Sequence, residues 1–124
     1  WMGHWKNAEG LYHAEPWFDD FGHIPASFHD EFAAAAREHG TWVEINSGAT
    51  LLNRRYPPHF VRQYLEYLAG LKARGVALCF GSDCHSAVYA PRFDEVAPLL
   101  ESVGIGEADL HGLPPRGTCA ASRH

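Results

Sequence analysis

The amino-acid sequence predicts a parallel α/β fold, and three observations support that prediction. Segments with strand patterns alternate three times with segments that have helical patterns. Residues 76–80 are continuously apolar, which is typical of a strand with both faces covered in a parallel sheet. The composition, 46% apolar and 20% charged, is that of a globular protein with a packed core. At 124 residues the chain is one small domain, shorter than the roughly 250 residues of a closed α/β barrel.

The first strand-helix unit follows an ambiguous start. Residues 11–16 favour the end of a helix that stops before a proline. Residues 18–22 are predicted as a short strand that ends at His23. A helix is predicted over 27–38, because its first residue is a serine with an aspartate three positions later, the pattern of a capping box. Gly40 is expected to end this helix.

The second unit has the clearest pattern. Residues 41–46 are rich in β-branched and aromatic side chains and predict a strand, which is followed by a loop over 47–50. Pro57 and Pro58 predict the start of a helix that runs to Gly75. Apolar side chains recur along it at helical spacing, so one face should pack on the core. These side chains are Phe60, Val61, Tyr64, Leu65, Leu68 and Leu71.

The third unit consists of the apolar strand over 76–80 and a helix from about residue 92 to residue 103. Residues 111–124 contain no periodic pattern, and we expect them to form a disordered tail. The folded domain is therefore predicted to span residues 1–110.

Charge and cysteine content exclude several classes of protein. The net charge is −5, and the ten Lys and Arg residues form no basic stripe, which argues against nucleic-acid binding. No apolar segment approaches the roughly 18 residues of a membrane span, and no signal-peptide pattern is present. The three cysteines contain no Cys-x-x-Cys pair and predict neither a disulfide framework nor a zinc ribbon. We therefore expect a cytoplasmic protein with reduced thiols and no membrane partner.

The most informative segment is 81–86, directly after the apolar strand. It holds Asp83 and His85, a carboxylate and an imidazole, at the point where a buried strand emerges from the sheet. Both side-chain types are common metal ligands, and strand ends are where α/β folds place their chemistry. Of the nine histidines, His23 and His85 are the candidates for such a role. The others are interpreted as surface residues: His4, His13, His29, His39, His59, His111 and His124.

The three predicted strands end in polar side chains at one edge of the sheet. His23 ends the first strand, Asn46 ends the second, and Asp83 and His85 follow the third. Glu44 lies on the same side as Asn46, because side chains alternate along a strand with a period of two. Carboxyl ends of parallel strands meet at one edge, so these groups are expected to face one mouth.

Four segments in this order and spacing resemble the second half of the PHP (polymerase and histidinol phosphatase) superfamily, and most closely its histidinol-phosphatase-type phosphoesterases. They are residues 18–24, 43–46, 56–58 and 80–86. The resemblance covers roughly residues 12 to 105. It implies a partial (β/α) barrel, in which this chain supplies about three strand-helix units of a distorted seven-stranded barrel. It also implies two or three divalent metal ions, which could be Zn, Mn or Fe.

Residue roles follow from the same resemblance. His23, Asp83 and His85 match metal-binding positions, and Asp83 with His85 would be catalytic through the metal. The implied activity is hydrolysis of a small phosphomonoester, such as histidinol phosphate, by a metal-activated water. A histidine near the leaving oxygen could instead act as general acid.

Substrate contacts are expected from the second unit. Arg54 or Arg55 falls where phosphatases of this family carry a basic residue, and a guanidinium suits phosphate through bidentate hydrogen bonds. Asn46 is interpreted as structural or as facing the substrate. Simple alternatives exist for every site: the arginines could be solvated, His23 could bond to backbone, and Asp83 could cap a turn.

The family's first motif, His-x-His, is absent, since His4 and His13 do not stand at that spacing. The chain therefore resembles the carboxyl-terminal part of a PHP-like domain, and we expect a fragment of a larger domain. Three strands leave open sheet edges, which a missing half or a homo-oligomer would cover. Two other functions stay open: a 3′–5′ exonuclease-type PHP domain, and a non-catalytic remnant that serves as an interaction module.

Overall fold

The computed structural model describes residues 2–81 and 92–112. An antiparallel hairpin comes first, followed by alternating helices and parallel strands. In chain order the elements are β1 (Met2–Lys6), β2 (Tyr12–Pro16), α1 (Ala26–Glu38), β3 (Val43–Asn46), α2 (Pro58–Ala73), β4 (Leu78–Gly81), α3 (Phe93–Glu101) and β5 (Leu110–His111). Short helical turns span Phe21–His23, Ser47–Leu51 and Glu107–Asp109. None of the described helices is both long enough and apolar enough to cross a bilayer.

The parallel sheet has the order β3-β4-β5, so strands that follow one another in the chain are neighbours. Val43 is opposite Leu78, and Leu78 is opposite Leu110. Crossovers between parallel strands are right-handed in nearly all proteins, so α2 and α3 are expected on the same face of the sheet. The arrangement is a mixed α/β fold compatible with one arc of a β/α barrel.

One face of the sheet forms the core. Ile45, Leu78 and Leu110 are buried and belong to the same hydrophobic cluster as the buried residues of α2 and α3. The helical members of that cluster are Phe60, Tyr64, Leu65, Leu68, Leu71, Val96 and Leu100. On the other face, Glu44 and His111 are exposed and Cys79 is half-buried. The described residues thus cover one face of the sheet, whereas the apolar pattern of 76–80 had predicted that both faces would be covered.

Helix ends agree closely with the sequence predictions. Pro58 is the first residue of α2 and Pro57 precedes it in an extended conformation, as the proline pair predicted. Gly40 and Gly75 follow α1 and α2 with φ of 63° and 80°, a left-handed conformation that glycine adopts without the steric penalty of a Cβ. Helix α1 differs at its start, because Pro25 precedes it and Ser27 lies inside the helix rather than at its cap.

The predicted strand over 18–22 is wrong. Phe21–His23 form a 3₁₀ turn, in which the Asp20 carboxylate accepts a hydrogen bond from the Gly22 N–H at 2.8 Å. Phe21 is buried against α2, so the aromatic residues that suggested a strand serve as anchors of a turn. His23 therefore does not end a strand.

Two other segments differ from the predictions. Residues 12–16, predicted as the end of a helix, are strand β2. His111, predicted in the disordered tail, pairs with Cys79 in β5, a strand too short to leave a periodic pattern. Residues 113–124 of that predicted tail lie outside the described residues.

Candidate functional site

The carboxyl ends of β3 and β4 lie side by side, with Asn46 opposite Gly81. Asp83 and His85, the predicted metal-binding and catalytic pair, follow Gly81 directly in the chain. Both lie outside the described residues, so their positions stay predictions. Gly81, the last described residue before them, is paired with Asn46 at the end of the sheet.

Asn46 and Ser47 hold this edge of the sheet together. The Asn46 side-chain oxygen accepts a hydrogen bond from the Ala49 N–H at 2.8 Å and so caps the turn that follows β3. The buried Ser47 hydroxyl donates to the Gly81 carbonyl oxygen at 3.1 Å. This bond ties the turn after β3 to the end of β4. Sequence analysis missed Ser47, whose only signal was a small hydroxyl residue directly after a strand.

Glu44 lies on the open face of the sheet, over the end of β4. A Cβ added at Gly81 would overlap the carboxylate of Glu44. Burial raises the pKa of the Cys79 thiol, and the negative charge of Glu44 raises it further. The absence of a side chain at Gly81 therefore leaves room for the Glu44 carboxylate at the end of β4.

His23 lies on a turn that is held against α2. Gln63 Nε2 donates to the Asp20 carboxylate at 2.9 Å, and Gln63 Oε1 accepts from the Phe21 N–H at 3.2 Å. The hydrogen bond from Gln63, followed by that from the Gly22 N–H, lowers the pKa of Asp20. His23 itself is exposed. Because the amino-terminal half of α2 follows the carboxyl end of β3, the turn is fixed on the side of the fold where the strands end.

Arg54 lines a cleft of about 390 Å³ between the turn after β3, the start of α2 and helix α3. Arg92 and Glu95 line the same cleft. They form a bidentate pair, in which the Arg92 Nε and Nη2 donate to the Glu95 carboxylate at 2.6 and 2.5 Å. This hydrogen bonding lowers the pKa of Glu95, with a smaller contribution from the charge of Arg54. Sequence analysis did not identify Arg92, which gave no signal apart from its charge.

Arg55, the other candidate for phosphate binding, is also exposed, and its backbone N–H donates to the Asn53 side chain at 3.1 Å. It does not line the cleft that Arg54 lines. The sequence could not distinguish Arg54 from Arg55, but the structure does, because only Arg54 of the two lines the cleft.

A second cleft, of about 370 Å³, lies between α1 and α2. Its lining includes Phe21, His29, Tyr67 and Arg74. His29, predicted as a surface histidine, is half-buried there, with its ring centroid 5.0 Å from that of Tyr67. None of the predicted site residues lines this cleft.

Metal-ligand side chains do not cluster within residues 2–81 and 92–112: no three His, Cys, Asp or Glu side chains there form a group that could hold a metal ion. Of the three predicted ligands, only His23 belongs to this part of the chain. Its ring is exposed and accessible to a ligand. The predicted metal centre therefore depends on Asp83 and His85.

Curated proteins that carry the name "Probable phosphatase" are similar in sequence to this chain. A protein named "Probable phosphatase" from Caldanaerobacter subterraneus subsp. tengcongensis is 30% identical over 109 residues, which cover 82% of this chain and 41% of the relative. Proteins of the same name from Thermoanaerobacter sp. and Thermoanaerobacter pseudethanolicus are each 26% identical over 110 residues, covering 82% of this chain and 43% of each relative. No protein-family model and no solved structure matches the chain. The chain thus spans about two fifths of the length of these relatives.

Proposed function

We propose that this chain is part of a phosphatase that hydrolyses small phosphomonoesters with the help of divalent metal ions. The observation that carries the proposal is the similarity to proteins named as phosphatases over 82% of the chain. The fold supports it, because parallel strands β3 and β4 end together at Asn46 and Gly81, and Gly81 precedes Asp83 by two positions in the chain. The net charge of −5 favours a small substrate over a nucleic acid.

The residues proposed to hold the metal are His23, Asp83 and His85. Their donor set, two imidazoles and a carboxylate, suits Zn, Mn or Fe. When bound, such an ion supplies an activated water at neutral pH and neutralises charge on the phosphoryl oxygens. The Ser47 bond to the Gly81 carbonyl would fix the start of the segment that carries two of these ligands.

Arg54 is the proposed phosphate-binding residue, in preference to Arg55, because Arg54 lines a cleft and Arg55 does not line it. The Arg92 guanidinium on the same cleft is paired with the Glu95 carboxylate, so Arg54 supplies the net positive charge among the described residues that line it. A guanidinium can donate two hydrogen bonds to a phosphate. Asn46 is proposed to support the rim by capping its turn, since its side-chain oxygen is engaged there. A leaving group with apolar character could contact Leu52 and Val61, which line the same cleft.

Metal content and turnover test this proposal. The purified chain is expected to bind Zn, Mn or Fe, and Asp83→Ala and His85→Ala are each expected to lower the bound metal. Asp94→Ala removes an exposed carboxylate from the start of α3 and is the matched control, with unchanged metal content. Metal content that is the same in all three variants and in the wild type would contradict the assignment.

The phosphate-binding role is tested with an aryl phosphate as substrate. Arg54→Ala is expected to lower kcat/KM by about 10- to 100-fold, the effect of losing a hydrogen bond between charged groups. Arg55→Ala is the control and should lower it far less. A folded wild-type chain that binds no metal and turns over no aryl phosphate would favour a non-catalytic remnant.

A further inference from the structure

The cleft between α1 and α2 has the size of a small-molecule site. Its volume of about 370 Å³ falls within the range of about 300–1,000 Å³ that ligand pockets occupy. Small residues keep it open, since Gly22, Ala26 and Gly70 line it without large side chains. Gly22 is the neighbour of His23 in the chain, but His23 itself does not line the cleft. The lining thus contains no described residue to which the proposed function assigns a role.

Three aromatic rings form one wall of this cleft. The ring centroid of His29 is 5.0 Å from that of Tyr67 and 6.0 Å from that of Phe21, and the centroids of Phe21 and Tyr67 are 5.3 Å apart. Phe21 is buried, whereas His29 and Tyr67 are half-buried and leave part of their rings accessible from the cleft. Aromatic rings stack on planar apolar groups, and their faces attract cations. The wall therefore fits a ligand with a planar apolar body.

The charges at the cleft favour a cation. Glu66 is exposed and lines the cleft, and within residues 2–81 and 92–112 it forms no ion pair with a Lys or Arg side chain. Arg74 also lines the cleft, but its Nη2 donates to the Asp30 carboxylate at 2.7 Å and its Nη1 donates to the Gly70 carbonyl oxygen at 3.2 Å. Because Asp30 balances the charge of Arg74, the Glu66 carboxylate is the unpaired charge of the lining.

We propose that this cleft binds a small organic ammonium ion with an aromatic body. The ring of the ligand would lie against His29 and Tyr67, and its ammonium group would pair with the Glu66 carboxylate. One small ligand can make both contacts, because all three side chains line the same space of about 370 Å³. The inference goes beyond the proposed function and does not rest on it.

Titration with benzylammonium tests the proposal, with benzoate as the matched probe of opposite charge. NMR spectra of the complete, isotope-labelled chain are recorded at pH 7.5, where an ordinary imidazole is mostly uncharged. Benzylammonium is expected to cause saturable shifts at residues 63–70 of α2 and at His29. Benzoate is expected to bind at least about 10-fold more weakly, because its carboxylate would face the carboxylate of Glu66.

Variants of the chain locate the ligand. Glu66→Gln removes the charge and keeps the shape of the side chain, so benzylammonium should bind about 3- to 5-fold more weakly, as expected for an exposed ion pair. Ala26→Leu fills the cleft from the start of α1 and should weaken binding by about 10-fold or more. Glu31→Gln is the matched control, since it removes the same charge from an exposed residue of α1 that does not line the cleft, and it should leave binding unchanged.

Three outcomes would overturn the proposal: no saturable shifts with benzylammonium, equal affinity for benzoate, or wild-type affinity in Glu66→Gln or Ala26→Leu. An equal loss of affinity in Glu31→Gln would also overturn it, because the effect would then reflect net charge and not the cleft. Circular dichroism establishes that the variants are folded, which is expected because all three residues are exposed. Since the readout needs neither metal nor turnover, failure of the proposed function would leave this test intact.

Discussion

The two faces of the parallel sheet are built from alternate residues of the same strands and differ sharply in character. Ile45, Leu78 and Leu110 face the helices and are buried. Their strand neighbours on the other face include Glu44 and Cys79, which are directly opposite each other. Because side chains alternate along a strand, a continuous apolar run can contribute to one face that is buried and to another that is partly exposed. The helices cover one face, and the open face carries the carboxylate next to the candidate site.

Adjacent residues of β4 provide the largest test of this difference. Leu78 is 1% exposed on the covered face, so Leu78→Ala is expected to lower the free energy of unfolding by about 2–5 kcal/mol through lost burial and a cavity. Cys79→Ala changes the next residue on the open face and should cost less than about 1 kcal/mol. Urea unfolding of both variants gives these values. Equal losses would show that the open face is as tightly packed as the covered one.

An intermediate effect is expected from Tyr64, at alkaline pH. Burial raises the pKa of Tyr64 to about 12. A hydrogen bond with the Asn46 backbone opposes this increase, and the charges of Tyr67 and then of Glu44 add to it. The phenol ionises near pH 10 in the unfolded chain but stays neutral in the folded one, so stability falls as the pH rises from 10 towards 12. The part due to Tyr64 is about 2 kcal/mol at pH 12. Tyr64→Phe should lose correspondingly less stability over this range, measured by urea unfolding at each pH. An identical alkaline loss in both proteins would contradict the assignment.

The smallest effect concerns Gly81 and Glu44 on the open face. Gly81→Ala places a methyl group where the Glu44 carboxylate lies, and displacing that exposed, flexible side chain should cost about 1 kcal/mol. In a Glu44→Ala background the same change should cost nearly nothing, because the obstructing carboxylate is gone. A double-mutant cycle of unfolding free energies measures this coupling. Additive effects of the two substitutions would show that the carboxylate does not occupy the space above Gly81.

Much of the scaffold could be predicted because its signals are local. Pro57 and Pro58 fix a helix start through their own backbone geometry, and Gly40 and Gly75 fix helix ends through their left-handed φ angles. The edge at which β3 and β4 end together followed from the order of elements alone, since parallel strands share their direction.

The site was predicted less completely, because its arrangement depends on distant contacts. Arg54 and Arg55 are neighbours in sequence, and only the position of α3 gives Arg54 a second arginine in its cleft. The bond of Ser47 to Gly81 joins residues 34 positions apart, which no local pattern reports. The predicted roles of His23, Asp83 and His85 stay predictions.

The sequence by itself determined the second and third strand-helix units, the start of α2, the ends of α1 and α2, and the edge at which β3 and β4 end together. Propensities, capping and apolar periodicity act over a few residues, so they can be recognised without knowledge of the fold. Only the tertiary structure decided that residues 18–23 form no strand, because Phe21 packs on α2 and Gln63 holds Asp20. The tertiary structure also decided which face of the sheet is covered, since burial depends on where α2 and α3 pack.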